Sequence, residues 1–187
     1  RVVIKNLLPR TWFRTALPKE SERKAKSGHL NLEIVSHCWG YANTLTYQLS
    51  SFVNNAPTKL SLTVTVFYSP EDSRTKETLE YFSSIEVPNV TWNFQPMKKE
   101  KVFRRGIGRN MAAQSTSADW VWFTDCDIIF HANCLDSLAE ELQGKTESLY
   151  YPHFEFTTEM LADSDPMLQE QSKPQIVDID AGNFSQH

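Results

Sequence analysis

Apolar and polar positions come in blocks along this chain, and their period switches repeatedly between that of a strand and that of a helix. Leu30-Asn31-Leu32-Glu33-Ile34-Val35 reads as a strand ending at Ser36; Ala42, Leu45, Leu49, Phe52 and Val53 then recur at helical spacing until Asn54-Asn55-Ala56-Pro57 stops them. Leu60 to Tyr68, rich in β-branched residues, predicts a second strand. Ser69-Pro70-Glu71-Asp72-Ser73 reads as a turn and N-cap before a helix that turns Leu79, Phe82 and Ile85 inward. Val90 to Phe94 is a third short strand, and the basic connection Lys98-Lys99-Glu100-Lys101 leads to a helix with its body from Gly108 to Thr116. Trp120-Val121-Trp122-Phe123-Thr124 is continuously apolar, the pattern of a strand buried on both faces of a sheet. Cys134 to Leu142 is helical again, and Leu149-Tyr150-Tyr151 extended. Strands alternating with helices predict βαβ crossovers, hence an α/β class with a mostly parallel sheet and helices on both faces. Beyond Pro152 the pattern dissolves into acidic, Pro-punctuated sequence whose one cation is Lys173, expected to form a loop-rich extension over the open side of the sheet.

Composition bounds this picture. The chain has 187 residues, 40% of them hydrophobic, enough for one domain with a real core and too many for a disordered segment or a disulfide-stapled miniprotein. No apolar run approaches the ~18–20 residues of a membrane span, and no signal-peptide core is present. The sequence opens at Arg1 and stops at His187 without a tail-like composition, so a partial chain is expected. The net charge of −4 is unevenly spread: residues 1–29 hold eight Lys/Arg against Glu20 and Glu22, a balance of +6 that leaves −10 for the rest. Such a basic arm, also carrying Trp12 and Phe13, reads as an irregular segment laid on the domain with its charges solvated; its functional reading is a peripheral membrane contact. The expected division is a basic arm over 1–29, an α/β domain over 30–151 and an acidic, loop-rich region over 152–187. Cys38, Cys126 and Cys134 form no CxxC pair and leave an odd one out, which points to a reduced, cytoplasmic compartment. The sequons Asn89-Val90-Thr91 and Asn183-Phe184-Ser185 are too short to outweigh that.

Ligands of open α/β sheets bind outside the carboxyl ends of the strands. That directs attention to Ser36-His37-Cys38-Trp39, Tyr68-Ser69, Gln95 and Asp125-Cys126-Asp127. In extended backbone, residues i and i+2 point the same way, so Asp125 and Asp127 aim two carboxylates at one spot. Their repulsion calls for a neutralising partner, and a hard divalent cation completing its shell with phosphate oxygens and water fits. A metal-bound, phosphorylated substrate follows. Two further Asp-x-Asp runs carry less: Asp163-Ser164-Asp165 lies in polar sequence, and Asp178-Ile179-Asp180 follows only the short apolar pair Ile176-Val177. Upstream, Phe103-Arg104-Arg105-Gly106-Ile107-Gly108-Arg109-Asn110 combines guanidinium forks suited to diphosphate with a Gly-flanked helix start. It lacks the third glycine of a dinucleotide fingerprint, so a nicotinamide site is not expected. His37 and His153 have no metal-spaced partner and read as structural histidines.

With these residues placed, the chain resembles the GT-A class of nucleotide-sugar-dependent glycosyltransferases, most closely the inverting family 2 type and its β-1,4-galactosyltransferase-like relatives. The similarity runs from about Asn31 to Leu142 and rests on Ile34-Val35-Ser36-His37, Ser51-Phe52-Val53-Asn54-Asn55, Arg109-Asn110, Asp125-Cys126-Asp127, and Phe103-x-Arg105 followed by Asn110. The resemblance implies a GT-A (Rossmann-like) fold and transfer of a sugar, with inversion, from a nucleotide-sugar, a UDP-sugar being favoured, to a carbohydrate or glycan hydroxyl; no nucleic acid takes part. It further implies that Asp127 ligates Mn²⁺ or Mg²⁺, that Asp125 contacts ribose or metal, that Ser36, His37 and Phe103 line the nucleotide pocket, and that Arg105 and Arg109 approach base or phosphates. The chain departs from the family in having Tyr68-Ser69, not acids, at the end of the second strand. The general base lies downstream in such enzymes; Glu155, Asp178 and Asp180 are the candidates here. A nucleotidyltransferase using the same carboxylates and a non-catalytic nucleotide- or sugar-binding domain are the alternatives. A haloacid-dehalogenase-type phosphatase is set aside because its Asp-x-Asp follows the first strand.

Overall fold

Large apolar residues at every second position, with small polar residues between them, make Leu60–Tyr68 a strand with one greasy and one polar face. A computed structural model describes residues 20–22, 24–147, 149–152, 156–169, 173–178, 182 and 184–186. Four parallel strands, β1 (Leu30–Cys38), β2 (Leu60–Tyr68), β3 (Val90–Pro96) and β4 (Trp120–Phe123), lie in the order β3-β2-β1-β4. They are joined through α1 (Ala42–Asn54), α2 (Ser73–Ser83), the single turn α3 (Lys99–Val102) and α4 (Arg105–Ser115); α5 (Cys134–Glu141) follows β4. The expected α/β class, mostly parallel sheet and Rossmann-like order are present. Two-residue strands β5 (Phe156–Thr157) and β6 (Ser185–Gln186) pair antiparallel apart from the main sheet.

The main core fills the face that takes the even-numbered residues of β1. Leu30, Leu32 and Ile34 pack there with Leu60, Leu62, Val64 and Val66 of β2, beneath Leu45, Leu49 and Phe52 of α1, Leu79 and Phe82 of α2, and Leu135 and Ala139 of α5. Asp72 caps α2 as expected, accepting from Thr75 N at 3.1 Å. The second face is smaller and more polar. Val35, Phe67 and Ala112 of α4 form its core, and buried Glu33 accepts from Thr65 Oγ1 at 2.5 Å, with Asn93 Nδ2 donating to Thr65 Oγ1 at 2.9 Å. Helices therefore cover both faces.

Four expectations change. β4 pairs only with β1 among the described residues, so it is an edge strand and not one buried on both faces; its side chains are half-buried and Phe123 is 40% exposed. Helix α4 begins at Arg105 and not Gly108, because Gly108 itself lies buried against the sheet as part of the helix. Leu149 to Tyr151 form no strand, and Leu149 and Tyr151 stand in solvent. Of the region expected over the open side of the sheet, the described residues Met167, Leu168 and Val177 lie on α1: Asn43 Nδ2 donates to Met167 O and Leu168 O, Ser50 Oγ accepts from Val177 N, and Asn54 Nδ2 donates to Val177 O. These three polar residues share one stripe of α1 and satisfy four backbone groups of the tail.

Candidate functional site

The chain runs outward from β1 through β2 to β3 and then returns to place β4 on the other side of β1. The carboxyl edge between β1 and β4 is thus the topological switch point, the crevice where open α/β sheets bind ligands. Asp125-Cys126-Asp127 follows β4 at this edge. The parallel register that pairs Val35 with Phe123 carries Cys126 to the level of Cys38, and the two thiols are hydrogen-bonded. That contact, and after it burial, pushes the Cys126 thiol up. Thr124 and Cys126 turn inward while Asp125 and Asp127 face out, as the two-residue period predicts, although the strand has already ended.

A second polar stripe of α1 holds this loop. Gln48 Nε2 donates to Asp125 O at 2.8 Å and Ile128 O at 2.9 Å, Ser51 Oγ accepts from Phe130 N at 3.1 Å, and Asn55 Nδ2 donates to Phe130 O at 3.0 Å. Gln48 is fully buried, and the Phe130 ring stacks on Phe52 at 4.8 Å. The loop that presents both carboxylates is thereby fixed from below by side chains that satisfy its backbone. Gln48 was not among the expected site residues; a lone amide on the apolar stripe of Leu45, Leu49 and Phe52 was the signal.

Helix α4 brings the arginines. Arg105 Nη1 pairs with Asp125 Oδ1, and Arg109 Nη2 stands 3.5 Å from the same oxygen, its guanidinium 5.9 Å from the centre of the Phe123 ring. Protein cations thus neutralise Asp125, the role expected for a metal at the acid pair as a whole. With both partners about half exposed the pair adds little stability, so its value is positional. Asp127 makes no ion pair among the described residues and is exposed. No group of three or more His, Cys, Asp or Glu able to hold a metal occurs among them either. Two carboxylates, one of them unpaired, fit a hard divalent ion that draws its remaining ligands from substrate phosphate and water.

Neighbours in a strand face opposite ways, and Ser36 and His37 therefore part company. Ser36, 1% exposed, faces α1 and the main core, whereas His37 faces α4, stacked on Phe67 with ring centres 5.2 Å apart. They do not line one pocket. Gly108 makes the His37 packing possible: a Cβ there would lie 2.2 Å from His37 Nε2 and 2.8 Å from the Phe67 ring. Both ring nitrogens of His37 are buried without hydrogen-bond partners. Burial, then Arg109 and Arg105, hold its pKa down to about 4, against a weaker upward pull from Asp125. The unfolded imidazole, near 6.5, takes a proton that the folded one refuses, so stability present above pH 6.5 is lost as the pH falls toward 4. Urea midpoints measured across that window should fall with acid in the wild type and fall less in His37→Asn; superimposable pH profiles would contradict this placement.

Phe103, 62% exposed, stands beside Trp39 two residues before Arg105. Asp178 follows Val177, whose backbone is bound at Ser50 and Asn54 of α1. Glu155, Asp180 and His153 lie outside the described residues. The described end of the basic arm is tied to the opposite edge of the sheet, where Lys26 Nζ donates to Asp119 at 2.6 Å and Asn31 N to the same carboxylate at 2.7 Å. No helix among the described residues is long and apolar enough to cross a membrane.

The sequence model of the family described as glycosyl transferase family 2 matches residues 42–175. No curated protein sequence matches the chain. Among solved structures the chain is similar to the crystal structure of S. aureus TarS 1-349, with 17% identity and a TM-score of 0.46 over 59% of this chain and 32% of that one. The chain thus spans about a third of the length of that structure. The family match starts at the first residue of α1 and runs through α4, β4 and both acidic residues at the switch point, and it covers well over half of the sequence: the chain belongs to glycosyl transferase family 2.

Proposed function

We propose that this chain is the donor-binding part of an enzyme that moves a sugar from a nucleotide-sugar, a UDP-sugar by preference, to a carbohydrate or glycan hydroxyl with inversion, using Mn²⁺ or Mg²⁺. One observation carries the reading: at the switch point between β1 and β4, an Asp127 with no ion pair among the described residues stands beside an Asp125 already held by Arg105 and Arg109. In the reading, Asp127 with Asp125 would hold the divalent ion, which would supply Lewis-acid stabilisation of a nucleoside diphosphate leaving group. Arg105 and Arg109 serve the same end with fixed cations, because their guanidinium forks match phosphate oxygens and α4 holds them in place. Gln48, Ser51 and Asn55 keep the acidic loop from moving as charge develops. Phe103 belongs to the nucleotide end of the same site. His37 acts on the site through packing against α4 and not by direct contact. Inversion needs a base on the acceptor hydroxyl, for which Asp178, Asp180 and Glu155 are the candidates. Contact of residues 1–29 with an anionic membrane belongs to the proposal on charge alone.

Product analysis tests the reaction class. Incubated with UDP-sugars and Mn²⁺, the protein should release UDP and no pyrophosphate. Pyrophosphate released from a nucleoside triphosphate plus a sugar phosphate would identify a nucleotidyltransferase instead, and tight binding without turnover a binding domain.

A further inference from the structure

We infer that Trp39 and Lys99 choose the base of the donor nucleotide, an inference that rests on the donor-binding reading above. The end of β2 is poorly equipped for that task in this chain. Ser69 is 1% exposed. The Asp72 carboxylate is consumed: it accepts from Thr75 N at 3.1 Å, Thr75 Oγ1 at 2.6 Å and Gly40 N at 2.6 Å. Glu71 is the one acid left on that turn, and it is exposed.

A different group stands ready across the crevice. Trp39 directly follows β1, Lys99 Nζ lies 4.2 Å from the centre of its ring, and the exposed Phe103 ring is 6.1 Å away, tilted by 56°. Lys99 has no carboxylate partner among the described residues. The aromatic pair is tied to the acid pair from both ends: Phe103 is two residues from Arg105, which binds Asp125, and Trp39 adjoins Cys38, whose thiol meets Cys126. A diphosphate over Arg105 and Arg109 therefore leaves its nucleoside beside Trp39 and Phe103. Flat bases of every kind stack on such rings, so stacking supplies affinity without choice. Choice comes from the ammonium, which only donates: uracil and guanine present it with keto oxygens, whereas adenine presents an amino group at the corresponding edge. Lys99 thus favours keto bases.

Calorimetric titration of the wild-type chain and of Trp39→Ala, Trp39→Phe, Lys99→Gln and Glu71→Gln with UDP, GDP, ADP and inorganic pyrophosphate, each with Mn²⁺, tests this. Trp39→Ala should weaken UDP by about tenfold or more and leave pyrophosphate unchanged, with Trp39→Phe recovering most of the loss. Lys99→Gln should shrink the preference for UDP over ADP by about fivefold or more, and Glu71→Gln should leave it alone. UDP binding unchanged in Trp39→Ala, or a base preference that follows Glu71 and not Lys99, overturns this inference while the donor-binding reading stands. A wild-type chain that binds neither UDP nor pyrophosphate overturns both.

Discussion

Asp127→Asn should lower sugar transfer at limiting donor by about a hundredfold or more, with partial recovery at high Mn²⁺. The reason lies in how charge is distributed at the switch point. Arg105 and Arg109 already neutralise Asp125, so the carboxylate with charge to spare is the exposed, unpaired Asp127. Asparagine keeps the size and one oxygen and removes only the charge, so the loop held by Gln48 and Ser51 should persist and the fold should be unaffected. Asp163→Asn, in an Asp-x-Asp run far along the sequence from the strand edge, is the matched control and should be silent. Transfer by Asp127→Asn within threefold of wild type would remove the acid pair from the reaction.

Gly108→Ala should destabilise the fold by about 2 kcal/mol, against the direction of helix propensity. In an open helix interior the same substitution gains up to ~1 kcal/mol. Here the new Cβ would lie 2.2 Å from His37 Nε2 and 2.8 Å from Phe67, both on the sheet and both nearly fully buried, and overpacking at such a contact costs about 1–3 kcal/mol. The contact wins because neither ring has room to retreat. Gly106 offers the control, since nothing stands within 4 Å of a Cβ there and Gly106→Ala should be neutral or stabilising. Urea unfolding of the pair decides it. Gly108→Ala should lower the midpoint while Gly106→Ala leaves it unchanged or raises it, and in Gly108→Ala the displaced α4 should also carry Arg109 away from Asp125 and weaken pyrophosphate binding. Equal midpoints would mean that α4 does not bear on His37 and Phe67 as described.

Local alternation was enough to place most elements. Leu60–Tyr68 forms the strand its β-branched residues predict, and the turn expected to cap the next helix does so through Asp72. Asp125 and Asp127 were legible because a period of two puts them on one side after an apolar strand. That period also separates Ser36 from His37, which adjacency in sequence had grouped together. What could not be read depends on neighbours distant in sequence. An apolar run such as Trp120 to Phe123 has the same composition whether one strand or two flank it, and only the sheet order makes β4 an edge. Gly106 and Gly108 look like a delayed helix start until His37 and Phe67 are seen to need a residue without a side chain. Polar residues of α1 gave no hint of their partners, since Gln48 bonds to backbone 77 residues away and Ser50 to backbone 127 residues away.

The central claim is that the switch point between β1 and β4 binds a nucleoside diphosphate through a divalent ion on Asp127 and guanidinia on α4. Its most direct test is a pair of calorimetric titrations of UDP into the wild-type chain, one with Mn²⁺ and one with the ion removed by chelator. The account predicts saturable binding with Mn²⁺ that weakens about tenfold or more without it; equal affinity in the two titrations, or no binding in either, would contradict it.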